Sequence, residues 1–528
     1  MRCVLDLRID SALVVDGSGA HAYPASVGID HGVIATIDRT TDGARGPAAT
    51  RIDARGLVLT PGFIDVHNHS DAAPFVHAPM TSALRQGVTT VVVGNGGMSP
   101  FPLSSALELA AWAGGGGDEI GPAFVDFADF LDRLDATRPA VNVAALIGHG
   151  SVRELTIGPS PRAPDDDELA SMCRIVDEAM EAGAIGLSTG LIYAPGIHAG
   201  PDEVVALAAR AGRAGGLYAS HIRGEGRHLF RALDEAIAIG RRGEVPVHIS
   251  HLKCESASVW GRARDALARV HEAGASADQY PYAAWASTLA SLLPPWAAVG
   301  DLPRLIADPA TRTRLVDSVE RGEGERFQSS VDGVGWDRIV IEGTADTSCN
   351  GLDIATIGTR RAVAPVDAFF ELLIDDPATS CIGHAMDEHD VRTILADPRI
   401  MVASDAVSID PAGPIGEIPV HPRTYGTFPH VAGPAVRGGL LTLEAAVRSM
   451  TSLPADRFGL AGRGRIAEGA RADLVVFDPA TVADRATFAQ PHLLPEGFEA
   501  VIVAGRIAWR SGHEGIERAG RVLRRGES

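Results

Sequence analysis

The 528-residue chain is poor in cysteine, and its five cysteines follow no pattern: Cys3, Cys173, Cys254, Cys349 and Cys381 are odd in number, widely spaced and without a CxxC pair. No disulfide framework is encoded, and a reducing compartment is expected. Long apolar runs are missing too, so no stretch reaches the roughly 18 residues of a membrane span. The opening MRCVLDLRIDSALVV carries Asp6 and Asp10 within its apolar stretch, which spoils the core of a secretory signal. Positive charge is in deficit, 47 basic against 67 acidic residues for a formal net charge of −20. That balance disfavours nucleic acid or an anionic membrane as partner. What is expected is a cytoplasmic globular protein, 45% hydrophobic, whose core needs no covalent support.

The chemistry begins in the segment 57–71, LVLTPGFIDVHNHSD, which reads as an apolar strand ending in His67 and His69. Residues i and i+2 of a strand share a face, so one cation can take both imidazoles. Later strand ends repeat the theme: His221 in LYASHIRGE, His251 in VHISHLK and Asp405 in IMVASDA. Polar ligands at the ends of successive βα strands describe a metal site on the C-terminal face of a (β/α)8 TIM barrel. Helical patterns over 164–182, 202–212, 231–239 and 262–273 separate these strands, and 399–405 supplies the eighth. Between 282 and 380 the pattern loosens to a charged helix over 305–322 and a lone strand over 338–343, which predicts an insertion over the barrel mouth. The glycine run at 114–117 reads as a loop. Short β-type runs before residue 57 and after 473 predict a small β-domain. The expected division is 1–56, a barrel over 57–453 with its insertion at about 286–380, and 454–528.

The segments PGFIDVHNH, GVTTVVVGNGG, GAIGLSTGLIYAPG, SHIRGEG, ISHLK and HPRTYGTFP resemble the amidohydrolase superfamily and, within it, the D-aminoacylase (N-acyl-D-amino-acid deacylase) family. The resemblance implies that both termini build one β-sandwich beside the barrel. It also implies zinc, with His67, His69 and Asp405 at a first position and His221 and His251 at a second. The expected reaction is hydrolysis of the amide of an N-acyl-D-amino acid by a metal-activated water, with Asp405 as general acid/base. Arg423, in HPRTYGTFP, matches the family's carboxylate-binding arginine. Lys253 shares the strand face of His251, and Tyr193 and Tyr282, at the ends of strands 4 and 7, can donate hydrogen bonds to carboxylate or oxyanion.

One position departs from the pattern. Gly96 stands in VVVGNGGMSP where the deacylases usually carry a metal-ligating cysteine, and strand 4, AIGLSTGLIY, offers no lysine or glutamate. One tightly held zinc is therefore expected, the second position being left with two neutral imidazoles. Cys254 and His149 are the reserve candidates, His149 as a supporting residue. Two other readings fit the residues less well. A cyclic amidase of the dihydroorotase or hydantoinase type would want the absent strand-4 lysine. Five retained ligands argue against a metal-poor binding homologue with weak catalysis.

Overall fold

The computed structural model describes residues 4–39, 47–101, 122–298, 300–324, 327–413, 416, 419–513 and 515–527, so the glycine run at 114–117 lies outside the described residues. The apolar runs of both chain ends meet in one sheet. Strands β1 (Leu5–Val14), β2 (Tyr23–Asp30), β3 (Val33–Asp38), β4 (Ala48–Asp53) and β5 (Val58–Pro61) join β18 (Leu474–Phe477), β19 (Phe498–Val503) and β20 (Arg506–Arg510) in the order β20-β19-β18-β5-β1-β2-β3. One edge of β1 carries β2; the other carries β4 along its first half and β5 at Leu13 and Val14. The sheet thus branches at β1, and its apolar side chains, among them Ile9, Val27, Ile52, Leu474 and Ile502, form one buried cluster.

The stretch read as one strand leading to His67 is two. β5 pairs with β1 and β18, while β6 (Phe63–Asp65) pairs with β7 (Val88–Val93) in the barrel. The break falls at Pro61-Gly62: proline has no N–H for a ladder, and a Cβ at Gly62 would sit 2.0 Å from the Thr89 hydroxyl oxygen. The barrel begins at residue 63 rather than 57.

After β7 come β8 (Asn142–Ala145), its continuation β9 (Ile147–Gly148), β10 (Gly186–Gly190), β11 (Leu217–His221), β12 (Val247–Ile249), β13 (Ser276–Gln279) and, past the insertion, β17 (Ile400–Val402). They form two parallel arcs, β6-β7-β8 and β9-β10-β11-β12-β13-β17. With β8 and β9 counted as one strand, eight strands close the circle. The seam between β17 and β6 is made just beyond both strands, where Asp405 N–H donates to the His67 carbonyl at 2.8 Å and His69 N–H to the Ala406 carbonyl at 2.9 Å.

The outer helices follow their local signals. The pattern over 164–182 forms a helix at Asp166–Ala182, capped reciprocally by Asp165 and Glu168 and ended by Gly183 at φ 118°, a left-handed position that suits glycine. The charged pattern over 305–322 forms two helices, Leu302–Ala307 and Pro309–Arg321, because Pro309 cannot donate to the preceding turn. The strand expected to be alone, β15 (Ile339–Gly343), lies beside β16 (Ser380–Gly383), which also pairs β14 (Trp285–Thr288). This antiparallel insertion has its own core of Leu289, Ile339, Ile341 and Phe369.

The C-terminal segment also divides. After β20 the chain leaves the sheet and runs along the barrel, where Leu523 N–H reaches the Val143 carbonyl at 2.8 Å. No helix among the described residues is long and apolar enough to cross a membrane. Barrel and terminal sheet are joined by aromatic packing: Phe63 stacks on Phe428 at 5.8 Å and meets Phe477 at 6.5 Å and Phe498 at 6.4 Å between ring centroids. Phe477→Ala should lower stability by about 3–5 kcal/mol, the usual cost of emptying a buried aromatic site. Urea unfolding followed by tryptophan fluorescence reads it, and an unchanged midpoint would show that this cluster does not couple the two parts.

Candidate metal centre

Each strand end delivers one group to the same cavity. His67 and His69 follow β6, His221 ends β11, His251 lies just past β12, and Asp405 lies just past β17. All five line a cavity of about 500 Å³ together with Gly96, Tyr193, Lys253, Tyr280 and Arg423. The His251 ring sits between two others, 4.7 Å from that of His67 and 4.3 Å from that of His221. Ligand atoms therefore gather in two overlapping groups, His67–His251–Asp405 and His221–Glu225–His251, each with its atoms within 4.8 Å of one another. His69 Nε2 donates to Asp405 Oδ1, 3.0 Å away, and His67 Nε2 is 3.4 Å from the same oxygen.

Two ligands are held in a backbone conformation that side chains resist. His251 has φ 36° and Asp405 φ 51°, a left-handed region costing about 1–3 kcal/mol for such residues. The His251 N–H is fixed by Asp278 Oδ1 at 2.8 Å, and the Asp405 N–H by the seam.

Burial sets the protonation of the cluster. It pushes His67 down to about 4 against the opposing charge of Asp405, and it holds His221 and His251 well below the ordinary histidine range. These imidazoles are neutral, the form that binds a metal. Burial also works against the Asp405 carboxylate, but Arg423, His67 and the bond to His69 outweigh it and hold the acid well below its usual range. Both ring nitrogens of His67 and Nε2 of His221 are buried without a hydrogen-bond partner. Buried polar atoms are rarely left so. Neutral imidazoles, one sure carboxylate and orphaned lone pairs fit a divalent cation.

Several groups in this shell escaped the sequence reading. Glu225 is the main one: its carboxylate lies 3.0 Å from His251 Nδ1, 3.5 Å from His221 Nε2 and 2.8 Å from Lys253 Nζ. The His221–His251 pair thus has an anion beside it, which corrects the expectation of two neutral ligands alone. The signal was present, since Glu225 follows His221 by four residues in HIRGE and Lys253 is the only lysine in the chain. Asp278 accepts from His248 at 2.7 Å as well as from His251. Asp65 ties the seam, taking the Ser404 N–H at 2.9 Å and the Asn68 amide at 2.8 Å.

Other expected residues fall differently. Tyr193 lines the cavity, its ring 4.8 Å from that of His221. Tyr282 does not line it; it packs behind His421 at 5.2 Å, and Tyr280 faces the cavity instead. The cause is local: β13 ends at Gln279, so the i, i+2 rule no longer relates Tyr280 to Tyr282. His149 is buried away from the cavity with Glu203 at 2.9 Å. Cys254 is buried off the cavity with its thiol pushed up to about 12 by burial. Gly96 has φ +63°, and a Cβ there would meet only His69 Cε1 at 3.7 Å. There is room for a side chain, though in a conformation that favours glycine.

Against known proteins, a model of the amidohydrolase family matches residues 50–508. A D-aminoacylase of Alcaligenes xylosoxydans xylosoxydans is 38% identical over 98% of this chain and 98% of its own. Among solved structures, a D-aminoacylase studied for its binuclear metal centre, with one-metal activation and second-metal attenuation, superposes with TM-score 0.83 at 36% identity, covering 99% of this chain and 100% of that one. The N-acyl-D-glutamate deacylase of Bordetella bronchiseptica, crystallised with zinc and a phosphonate mimic of the tetrahedral intermediate, superposes with TM-score 0.81 at 36% identity over the same shares.

Glu225→Gln should weaken zinc binding at least about tenfold, the low end seen when a metal site loses a supporting carboxylate. Titration of the apoprotein with zinc reads it, and an unchanged isotherm would remove Glu225 from the centre.

Proposed function

The chain belongs to the amidohydrolase family, and from that membership we propose that it is a zinc-dependent deacylase releasing D-amino acids from their N-acyl derivatives. The observation that carries this reading is the double engagement of Asp405. One carboxylate oxygen faces His69 at 3.0 Å and the other is held by Arg423 Nη1 at 2.7 Å. A proton carrier and a carboxylate reader thus stand side by side, as a substrate with an amide and a carboxylate on one carbon requires.

His67, His69, Asp405, His221 and His251, with Glu225, would hold zinc, which supplies Lewis acidity and a neutral-pH nucleophile. One tightly held ion is the expected complement, and the deacylase with one-metal activation supports that count. Asp405 takes a proton from the attacking water and delivers it to the departing nitrogen. Water adds to the acyl carbon, the C–N bond breaks, and a carboxylic acid and a free amino acid leave. Arg423 has five N–H donors, so its bond to Asp405 leaves others for the substrate carboxylate. Lys253 adds positive charge to the same wall, and Tyr193 and Tyr280, whose hydroxyls burial holds well above their usual range, stay protonated as donors. The four described cysteines are free thiols, consistent with a cytoplasmic enzyme. A cyclic amidase would want a lysine on β10, and the single lysine of the chain lies past β12.

Asp405→Asn should reduce kcat at least about 10²-fold, the low end for a general acid/base, with circular dichroism unchanged; activity within a few fold of wild type would take Asp405 out of the proton path. Arg423→Met should raise KM more than it lowers kcat, because ground state and transition state both carry the carboxylate. Substrate amidated at its carboxyl group should be poor for wild type and no worse for the variant. Equal losses on both substrates would assign Arg423 a structural role.

A further inference from the structure

With carboxylate and amide of the substrate assigned to Arg423 and the metal cluster, the third substituent on its α-carbon must face the remaining wall. Part of that wall comes from the insertion. In β15 the residues alternate: Ile339 and Ile341 enter the insertion's own core, which turns Glu342 the other way, and Glu342 lines the cavity. Among the described residues its Oε1 is buried with no hydrogen-bond partner, an arrangement that costs free energy until a donor arrives. Glu342 is the only charged residue that the insertion contributes to the described lining.

Among the described residues, the lining holds no spare cation to answer an acidic side chain. Its two strong cations already have tasks: Arg423 bonds Asp405 at 2.7 Å and keeps its other donors for the α-carboxylate, and Lys253 bonds Glu225 at 2.8 Å. Glu255, also on the lining, adds further negative character near the insertion.

We infer that Glu342 selects the substrate side chain, favouring N-acyl-D-amino acids whose side chain ends in a cation or another hydrogen-bond donor and rejecting acidic ones. This rests on the deacylase reading above. A guanidinium, ammonium or amide satisfies Oε1; a carboxylate is set against a like charge, which is discrimination by repulsion as well as attraction. Burial pushes the Glu342 carboxyl up to about 7, with Ser380 and the charge of Arg423 opposing, so a cationic side chain also completes a pair that burial leaves unmet. The selectivity differs from that of the Bordetella relative, whose substrate carries a second carboxylate.

The test is kcat/KM of the zinc-loaded enzyme on N-acetyl-D-arginine, N-acetyl-D-glutamine, N-acetyl-D-leucine and N-acetyl-D-glutamate. Wild type should favour arginine over glutamate by at least about tenfold, a modest figure for a buried polar group that meets the wrong partner. Glu342→Gln should cut the arginine-to-glutamate ratio at least about tenfold, and Glu342→Lys should invert it. A ratio unchanged in both folded variants, or a wild type that favours glutamate, would overturn the role of Glu342. Turnover of none of the four by wild type would instead overturn the deacylase reading.

Discussion

The centre depends on how the barrel closes. Strands β6 and β17 are too short to seal the circle themselves, and the bonds between them are made one step further on, by the residues that bear the ligands. Asp405 N–H holds the His67 carbonyl, and His69 N–H holds the Ala406 carbonyl. Asp65 reinforces this from below, its buried carboxylate gathering Ser404 and Asn68. Burial pushes Asp65 up to about 6 while those hydrogen bonds oppose it, so the tie survives at neutral pH. Ligand geometry and barrel closure are one set of hydrogen bonds, which is how Asp405 can be kept at an unfavourable φ of 51°.

The second constraint is electrostatic. The cavity buries several charges, and two of its carboxylates have a near neighbour of opposite sign: Asp405 with Arg423 and Glu225 with Lys253. Buried pairs of this kind add little net stability. Their retention fits a site that must present fixed positive charge to a substrate anion and fixed negative charge to a metal. Glu342 is different: its Oε1, on the cavity lining, has no hydrogen-bond partner among the described residues.

Much of this was legible beforehand in residues that sit at the ends of periodic segments. His67, His69, His221, His251 and Asp405 all reach one cavity, as their strand-end positions predicted. Where periodicity stopped, so did the reading. Tyr282 was expected at the end of strand 7, whereas β13 stops at Gln279 and Tyr280 is the tyrosine that lines the cavity. The stretch 57–65 looked continuous because both its halves are apolar, yet they pair with different sheets. Glu225, Asp278 and Glu342 sit in an irregular loop, on a barrel strand and in the insertion, and no single local pattern would single them out as a group.

Taken alone, the sequence determined the order of βα units and the candidate ligands at the strand ends, since each follows from residue type and local spacing, and the resemblance marked the gap at Gly96. Tertiary structure decided which candidate ligands lie within reach of one another. His251 stands between His67 and His221, and Glu225 swings in beside it. It also decided that an insertion strand supplies a wall of the cavity. These are distances between segments far apart in the chain, fixed by closure of the barrel and by loops that bend without a period, and no pattern along one strand or helix encodes them.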